Sequence, residues 1–192
     1  NEENLTDEEP NTLQPVMLTI DDGYFPDPRA TLFVQNKGSY LLVFDELYQY
    51  KTLEEQTVED IVERSANHKI RRPSTAAVSH EAPALRARLN KVSIPAYSWL
   101  QTQAGDSSTR VAAIKLTRSM IKDAKGHRSI KVHRRCVNLI REITQGYRYP
   151  DGKHSPDDRP EDGNDHACEA LEGLVWMLYG KGQHQKPRSK EY

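Results

Sequence analysis

The fold is decided by the stretch Val16-Met17-Leu18-Thr19-Ile20-Asp21-Asp22-Gly23. Its first five residues form an apolar and β-branched run, which predicts a buried strand. Asp21, Asp22 and Gly23 then provide a turn signal that ends the strand. A carboxylate therefore follows directly after a buried strand, and functional residues of an open α/β sheet tend to lie at such strand ends.

The segments on either side of this turn predict the rest of the sheet. Residues 30–36 and 40–48 have strand patterns joined by a turn, in which Gly38 suits a positive φ, so the first three strands form an antiparallel meander. Beyond them, helical and strand patterns alternate. We predict helices over residues 52–66, 82–89, 108–122, 136–145 and 165–179, and strands over 76–78, within 92–99 and at 130–132, the last at an edge. Thr52, with Glu55 three residues later, predicts the N-cap of the first helix. The pattern is typical of an α/β mixed sheet, three antiparallel strands and then parallel β-α units, with helices on both faces.

Length and composition indicate one domain with short polar ends. The chain has 192 residues, and residues 1–14 are acidic and poor in apolar side chains, which predicts a tail or interdomain linker. We expect residues 15–180 to form the domain and residues 181–192 a flexible basic tail. No apolar run approaches the ~18 residues of a membrane helix, and no secretory signal is visible, so we expect no membrane partner. Cys136 and Cys168 make no disulfide framework, which fits a reducing cytoplasm.

Charge is distributed unevenly, although the net charge is only −1. Residues 110–135 contain nine Lys or Arg and one acid, whereas residues 151–165 contain six acids and two bases. A basic face beside an acidic pocket suits an enzyme that grips phosphates and cuts them with cations, while the alternative is solvated surface. The residues that we predict to contact DNA phosphates are Lys122, Lys125, Arg128, Arg134 and Arg135.

Carboxylates at other predicted strand and helix ends would join Asp21. Glu81 closely follows the strand at residues 76–78, and the two acids converge if their strands are neighbours. Asp165, His166 and Glu169 begin the last helix, three and four residues apart, so they share one face. Acids at these positions are also common as turn formers and N-caps, so only convergence makes them a site.

Phosphodiester hydrolysis explains such a cluster, because two divalent ions about 3.5–4 Å apart can activate water and neutralise the leaving oxygen. Mg²⁺ and Mn²⁺ prefer oxygen ligands. We therefore predict a site for Mg²⁺ or Mn²⁺, with two ions expected. Its predicted metal ligands are Asp21, Glu81, Asp165, His166 and Glu169, of which Asp21, Glu81 and Glu169 are the predicted catalytic residues; Asp27 and Asp22 are the reserve candidates.

Five segments, in this order, resemble the nuclease domain of tailed-bacteriophage terminase large subunits, which is RNase H-like. They are residues 18–23, 43–48, 77–83, 132–149 and 164–171. The first, ending in Asp21, is similar to the family's opening strand and first catalytic aspartate. The last, Asn164-Asp165-His166-Ala167-Cys168-Glu169-Ala170-Leu171, is similar to its Asp-His-x-x-Asp metal helix. The resemblance implies a metal-dependent endonuclease that cuts double-stranded DNA.

The chain departs from the family pattern at two of these positions. Ser79 stands where the family often has an aspartate at the end of the fourth strand, and Glu81 is the predicted substitute. Two residues apart on an extended strand, both side chains would point the same way. Glu169 replaces the final aspartate. The resemblance also implies an N-terminal ATPase domain, a portal and a small terminase subunit as partners in a host cytoplasm, although the chain contains no G-x-x-x-x-G-K phosphate loop.

Other interpretations remain at this point. An RNase H-like resolvase or transposase core shares the predicted fold, and a non-catalytic DNA-binding module would tolerate Ser79. His133-x-x-Cys136 with His166-x-Cys168 could hold zinc, although this spacing is not that of a standard finger. Consecutive Ser79, His80 and Glu81 would point to opposite faces of an extended chain, which excludes a serine-hydrolase triad.

Overall fold

The computed structural model describes residues 2–99, 107–146 and 165–180, and in these residues it forms one mixed sheet of seven strands. The strands are β1 (Leu5–Thr6), β2 (Met17–Asp21), β3 (Arg29–Asn36), β4 (Leu41–Gln49), β5 (Thr75–Val78), β6 (Ala96–Ser98) and β7 (Ile130–His133). Their order across the sheet is β1-β7-β4-β3-β2-β5-β6. β3 is antiparallel to both of its neighbours, and all other adjacent strands are parallel. The predicted mixed sheet is confirmed.

Helices cover both faces of this sheet. They are α1 (Glu54–Asn67), α2 (Pro83–Lys91), α3 (Ser107–Ile121), α4 (Val137–Arg141) and α5 (His166–Tyr179), and a π-helical turn, Glu142–Gly146, extends α4. α1 and α2 bury Val58, Ile61, Leu85 and Leu89 on one face, which is the α1 face. α5, with α3 and α4, packs on the other, the α5 face. Alternate residues of the same strands point to opposite faces and so contribute to two separate cores, as the two-residue period of a strand requires.

Six strands end at the same edge of the sheet. Since β3 alone runs in the opposite direction, the C-terminal ends of β1, β2, β4, β5, β6 and β7 share one edge, which we term the carboxyl edge. Asp21 at the end of β2 and Ser79 just after β5 are adjacent there, because Ile20 pairs with Val78. The condition for Asp21 and Glu81 to converge, that their strands are neighbours, is therefore met.

Two local predictions are wrong. β7 is an interior strand, because β1 pairs with it in parallel and takes the edge position. Thr52 does not cap α1: Leu53 is the N-cap residue and makes no side-chain cap bond, while the Thr52 hydroxyl donates to the Tyr50 carbonyl oxygen at 3.1 Å. The hydroxyl is used in the preceding turn, so the helix starts one residue later than the capping pattern predicts.

The N-terminal residues are part of the fold, contrary to the prediction of a tail or linker over residues 1–14. Buried Asn4 donates from Nδ2 to the carbonyl oxygens of Ile121 and Ile130, at 2.9 and 2.7 Å. The chain then forms β1 and returns towards β2, and buried Gln35 exchanges hydrogen bonds with the Asn11 backbone. Apart from Leu5, which packs against the core, hydrogen bonds and ion pairs hold this segment, which is why the hydrophobic pattern does not reveal it.

In the described residues, no helix combines the length and the apolar character needed to cross a membrane.

Candidate functional site

Asp21 lies at the centre of a group of charged side chains on the carboxyl edge. It is the last residue of β2 and only 7% exposed. Its Oδ2 lies 3.1 Å from Nδ1 of His166, the first residue of α5, and Nε2 of His166 lies 3.6 Å from Oδ1 of Asp27. The structure therefore brings two of the predicted ligands together, and adds a reserve candidate.

Contacts between α5 and the sheet fix this arrangement. The Thr19 hydroxyl, two residues before Asp21, donates to the Ala170 carbonyl oxygen. Gly173 lies against the Trp99 ring, and a Cβ at this position would clash with the indole. The Trp99 indole in turn donates to the Ile20 carbonyl oxygen at 3.1 Å. The close approach of α5 to β2 thus depends on a glycine, and it sets the position of His166 beside Asp21.

A buried glutamate holds the start of the same helix. Glu142 is 1% exposed, and its Oε2 accepts the Cys168 amide at 3.0 Å, where the first turn of α5 has unpaired N–H groups. The Tyr48 hydroxyl donates to the other oxygen at 2.7 Å. Burial raises the pKa of Glu142, while these hydrogen bonds oppose that shift. We therefore interpret Glu142 as a residue that positions α5, and not as a candidate catalytic group.

Arg110 lies between Asp165 and Glu169, the two acids at the start of α5. Its guanidinium NH2 lies 3.3 Å from Oδ2 of Asp165 and is also bonded to Oε1 of Glu169. Asp165 is the N-cap residue of α5 but makes no side-chain cap bond. Arg110 lies near the start of α3, so the packing of α3 on α5 delivers a positive charge to the site. The sequence pattern gives no sign of this long-range pairing.

The charges of the site oppose one another. Burial raises the pKa of Asp21, and the charge of Asp165 acts in the same direction, while His166 and Arg110 lower it. The hydrogen bond with Asp21 raises the pKa of His166, and burial partly offsets this. Acidic and basic side chains thus lie close together at one strand end, and the basic side chains partly neutralise the carboxylates.

Glu81 lies apart from this group. A hydrogen bond from the Ala82 amide to the Ser79 carbonyl oxygen at 3.2 Å turns the chain after β5. The alternation of an extended strand therefore does not carry over from Ser79 to Glu81. The Glu81 side chain is 78% exposed, and its Oε1 lies 3.6 Å from Nε2 of His80. Ser79 holds the position beside Asp21, with its hydroxyl buried and without a hydrogen-bond partner in the described residues.

The candidate metal ligands do not surround a common point in the structure. In residues 2–99, 107–146 and 165–180, no three His, Cys, Asp or Glu side chains are grouped so that they could hold a metal ion as they stand. The zinc alternative gains no support either, because burial raises the thiol pKa of both Cys136 and Cys168. Asp22, a reserve candidate, is bonded by Arg29 Nε at 2.6 Å and stabilises the local turn.

The five basic residues predicted to contact DNA lie at two different edges. α3 runs from Arg110 at the carboxyl edge to the opposite edge, where Lys122 and Lys125 follow it and Arg128 precedes β7. Fifteen helical residues span about 22 Å, so this group is remote from Asp21. Arg134 and Arg135 follow β7 and lie at the carboxyl edge. Residues 147–149, which end the fourth segment of the resemblance, and the acidic stretch from residue 151 to residue 164 fall outside the described residues.

The comparisons with known proteins are consistent with this architecture. No protein-family model and no curated protein matches the chain. Solved structures do match. The nuclease domain of the large terminase g2p of bacteriophage SPP1, with bound Mn, has a TM-score of 0.62 and 18% identity, covering 92% of this chain and 97% of that domain. The nuclease domain of the P22 large terminase has a TM-score of 0.64 and 16% identity, covering 93% and 89%.

The chain has the terminase nuclease fold. This fold is RNase H-like, as the sequence resemblance predicts. A longer large terminase, from a thermophilic bacteriophage, matches with a TM-score of 0.72 at 15% identity over 93% of this chain, but over only 43% of its own length. The chain thus spans less than half the length of that relative, and the identities establish the terminase nuclease fold alone.

Proposed function

We propose that this chain is a metal-dependent endonuclease domain that cleaves double-stranded DNA. The observation that carries the proposal is that Asp21 is paired with His166 and lies within reach of the charges of Asp165 and Arg110, while Arg110 bridges Asp165 and Glu169, at the carboxyl edge of a terminase nuclease fold. Carboxylates brought together from distant parts of the sequence are the requirement that distinguishes a site from isolated turn formers and helix caps.

The donor chemistry of the site fits a divalent ion. Carboxylate oxygens suit both Mg²⁺ and Mn²⁺. Nε2 of His166 is buried and has no hydrogen-bond partner in the described residues, and burial opposes the charge of Asp21. A cation would satisfy both groups. The nuclease domain of SPP1 was solved with Mn and that of thermophilic phage G20c with magnesium, so Mg²⁺ or Mn²⁺, as two ions, is our proposal.

The residues around these ions would have different roles. Asp21, Asp165, His166 and Glu169 would hold the ions, which when bound activate the attacking water and neutralise the leaving oxygen. Arg110 balances the carboxylates beforehand, and its guanidinium would have to leave Glu169 for that carboxylate to bind a metal. Glu81 would join the set only if the turn after Ser79 opened.

The rest of the functional proposal concerns the longer protein. The longer large terminase described above, of which this chain matches 43%, was also solved in complex with ATP-γ-S. We propose that the present domain likewise works beside an ATPase domain, with a portal and a small terminase subunit as partners, in the cytoplasm of an infected host. The identification of each partner rests on the resemblance, and co-purification with the full-length protein tests it.

Cleavage of a supercoiled plasmid tests the central activity. The wild-type chain should nick and linearise the plasmid with Mn²⁺ and not with EDTA, and Asp21→Asn should remove this activity. Glu59→Gln, which neutralises an exposed acid on α1, is the control for a change of charge. Retained cleavage by Asp21→Asn would place the chemistry elsewhere, and a metal-independent wild type would exclude the mechanism.

A further inference from the structure

The N-terminal segment places two carboxylates on basic residues of the carboxyl edge. Oδ2 of Asp7 lies 3.5 Å from Nε of Arg134, and Oε1 of Glu9 is bonded to NH2 of Arg135. Oε1 of Glu9 also lies 3.5 Å from Nε2 of His133. We call the segment from residue 7 to residue 9 the acidic strap. It covers the two predicted DNA contacts that share an edge with Asp21.

The backbone and Glu8 hold the acidic strap in this register. β1 pairs with β7 immediately before it, and the Arg134 amide donates to the Thr6 carbonyl oxygen at 3.1 Å. Glu8 is half-buried: the Tyr40 hydroxyl donates to its Oε2 at 2.6 Å, and Nζ of Lys37 lies 3.4 Å from its Oε1. Because Glu8 is anchored on the sheet, its neighbours Asp7 and Glu9 are left to face the arginines.

The arginines share the carboxyl edge with Asp21 but lie well to one side of it. β7 is three strands from β2, and strands are about 4.8 Å apart, so the sideways separation is about 14 Å. The register places Val132 level with Met17, so β7 also ends short of Asp21 along the strand direction. Arg135 lines a cavity on the α1 face, whereas Asp21 contacts α5. Arg134 and Arg135 would therefore bind phosphates away from the phosphate that is cut.

The ion pairs of the acidic strap are open to exchange. Asp7 and Glu9 have side chains that are 77% and 62% exposed, and Arg134 is 56% exposed. Surface ion pairs in water contribute little to stability. A phosphate, which offers bidentate geometry to a guanidinium, can therefore replace either carboxylate without disturbing the core.

We infer that Arg134 and Arg135 form a phosphate-binding surface that Asp7 and Glu9 occupy in the absence of nucleic acid, so that the acidic strap competes with DNA. This inference rests on the proposed function for the identity of the ligand. Beyond the proposed function, it states that the acidic strap of the chain itself competes with DNA for these arginines, and that the duplex must displace the acidic strap when it binds.

Binding of a fluorescent 30-base-pair duplex in EDTA, measured by anisotropy, tests the inference without cleavage. Asp7→Asn with Glu9→Gln should tighten Kd about tenfold, and the salt dependence should steepen by up to about two ions, because displaced carboxylates no longer take up cations. Arg134→Gln with Arg135→Gln should weaken Kd, and adding the two strap substitutions should then change little.

Glu55→Gln with Glu59→Gln is the matched control. It removes the same charge from exposed acids of α1, where Glu55 is bonded to Arg88, which is not a predicted DNA contact. Kd should stay within about twofold of wild type. Equal tightening by both double variants would reduce the effect to net charge and overturn the inference, as would unchanged binding of the strap variant. If neither the wild type nor any variant bound the duplex, the proposed function would fail as well. Thermal melting of each variant would confirm that it is folded.

Discussion

Asp21 and Asp45 are both buried aspartates at strand positions, and both contact a histidine, yet their surroundings differ. Oδ2 of Asp45 lies 2.6 Å from Nε2 of His68, and Arg64 NH1 donates to both carboxylate oxygens at 3.3 and 3.2 Å. Asp45 is thus enclosed by donors on the α1 face. Asp21 is bonded by His166, but its other charged neighbours include Asp165.

A structural carboxylate and a metal-binding one differ in what surrounds them. Burial and a histidine partner are common to both aspartates and decide nothing. At Asp45, Arg64 and His68 bond the buried carboxylate directly. Asp60, which lines the same cavity, is bonded separately by Gln49 and Gln56. At Asp21 several acids from distant parts of the chain converge, and the cations are shared among them. A divalent ion requires several acids close together, so we propose a chemical role for Asp21 and a structural role for Asp45.

The largest expected effect is on cleavage. Asp21→Asn should lower Mn²⁺-dependent plasmid cleavage by at least ~100-fold, because it removes a metal carboxylate. Its free energy of unfolding without metal should remain within about 1 kcal/mol of wild type, because the amide can keep the hydrogen bond with His166. Initial rates and urea melts measure the two quantities. A large loss of stability with unchanged cleavage would reverse the roles of the two aspartates.

Asp45→Ala should have the opposite effect. Removing this acid leaves His68 and Arg64 without their buried partner, and breaking such a pair costs about 3 kcal/mol of folding free energy. The rate of cleavage per folded molecule should be unchanged. Urea denaturation gives the stability, and cleavage is measured well below the melting temperature. If Asp45→Ala folded normally but stopped cutting, the α1 face would contain part of the reaction site.

Arg110→Gln should change metal affinity. Without the guanidinium, Asp165 and Glu169 are unbalanced, so the metal-free protein should melt at a lower temperature while Mn²⁺ binds about tenfold more tightly, as linkage requires of a lost competitor. Calorimetric titration with Mn²⁺ measures the affinity. Arg71→Gln, an exposed arginine before β5, serves as the control and should bind Mn²⁺ as wild type does. Weaker Mn²⁺ binding by Arg110→Gln would show that Arg110 holds the ligands in place instead of blocking them.

Glu81→Gln should have the smallest effect. Because Glu81 is exposed beyond a turn, the gain in melting temperature with Mn²⁺ should be close to that of wild type, whereas Glu169→Gln should lose most of the gain. Thermal melting of both variants with and without Mn²⁺ compares them directly. Equal losses would mean that the turn opens and that the sequence-based choice of Glu81 as the replacement for the missing strand-end aspartate is right.

Much of the fold follows from the sequence because apolar runs report burial. The run before Asp21, and the apolar residues of the last helix, predict β2 and α5 within one residue of their observed ends. The turn after β5 is different: it depends on a backbone hydrogen bond to Ser79, which Arg86 supports by donating to the same carbonyl oxygen. The spacing of apolar residues does not reveal such a bond. The sequence-based prediction therefore places Glu81 on an extended strand, which is wrong.

Long-range polar contacts are the other part that the sequence does not reveal. Arg110 meets Asp165 and Glu169 across more than fifty residues, and its reach depends on how α3 packs on α5. The acidic segment at the N-terminus docks through Asn4 and Gln35, whose buried amides find partners only in the folded sheet. The composition of residues 1–14 predicts a tail because the segment has few apolar residues, and composition does not show which hydrogen bonds will form.

The position of Mn²⁺ in a soaked crystal, located by anomalous scattering, tests whether Asp21 belongs to a metal site. We expect an anomalous peak about 2.1 Å from a carboxylate oxygen of Asp21, with His166 or Glu169 in the same coordination shell and the Arg110 guanidinium moved away from Glu169. A peak at Asp45, or strong Mn²⁺ density elsewhere with Asp21 and Glu169 left as they are, would contradict it.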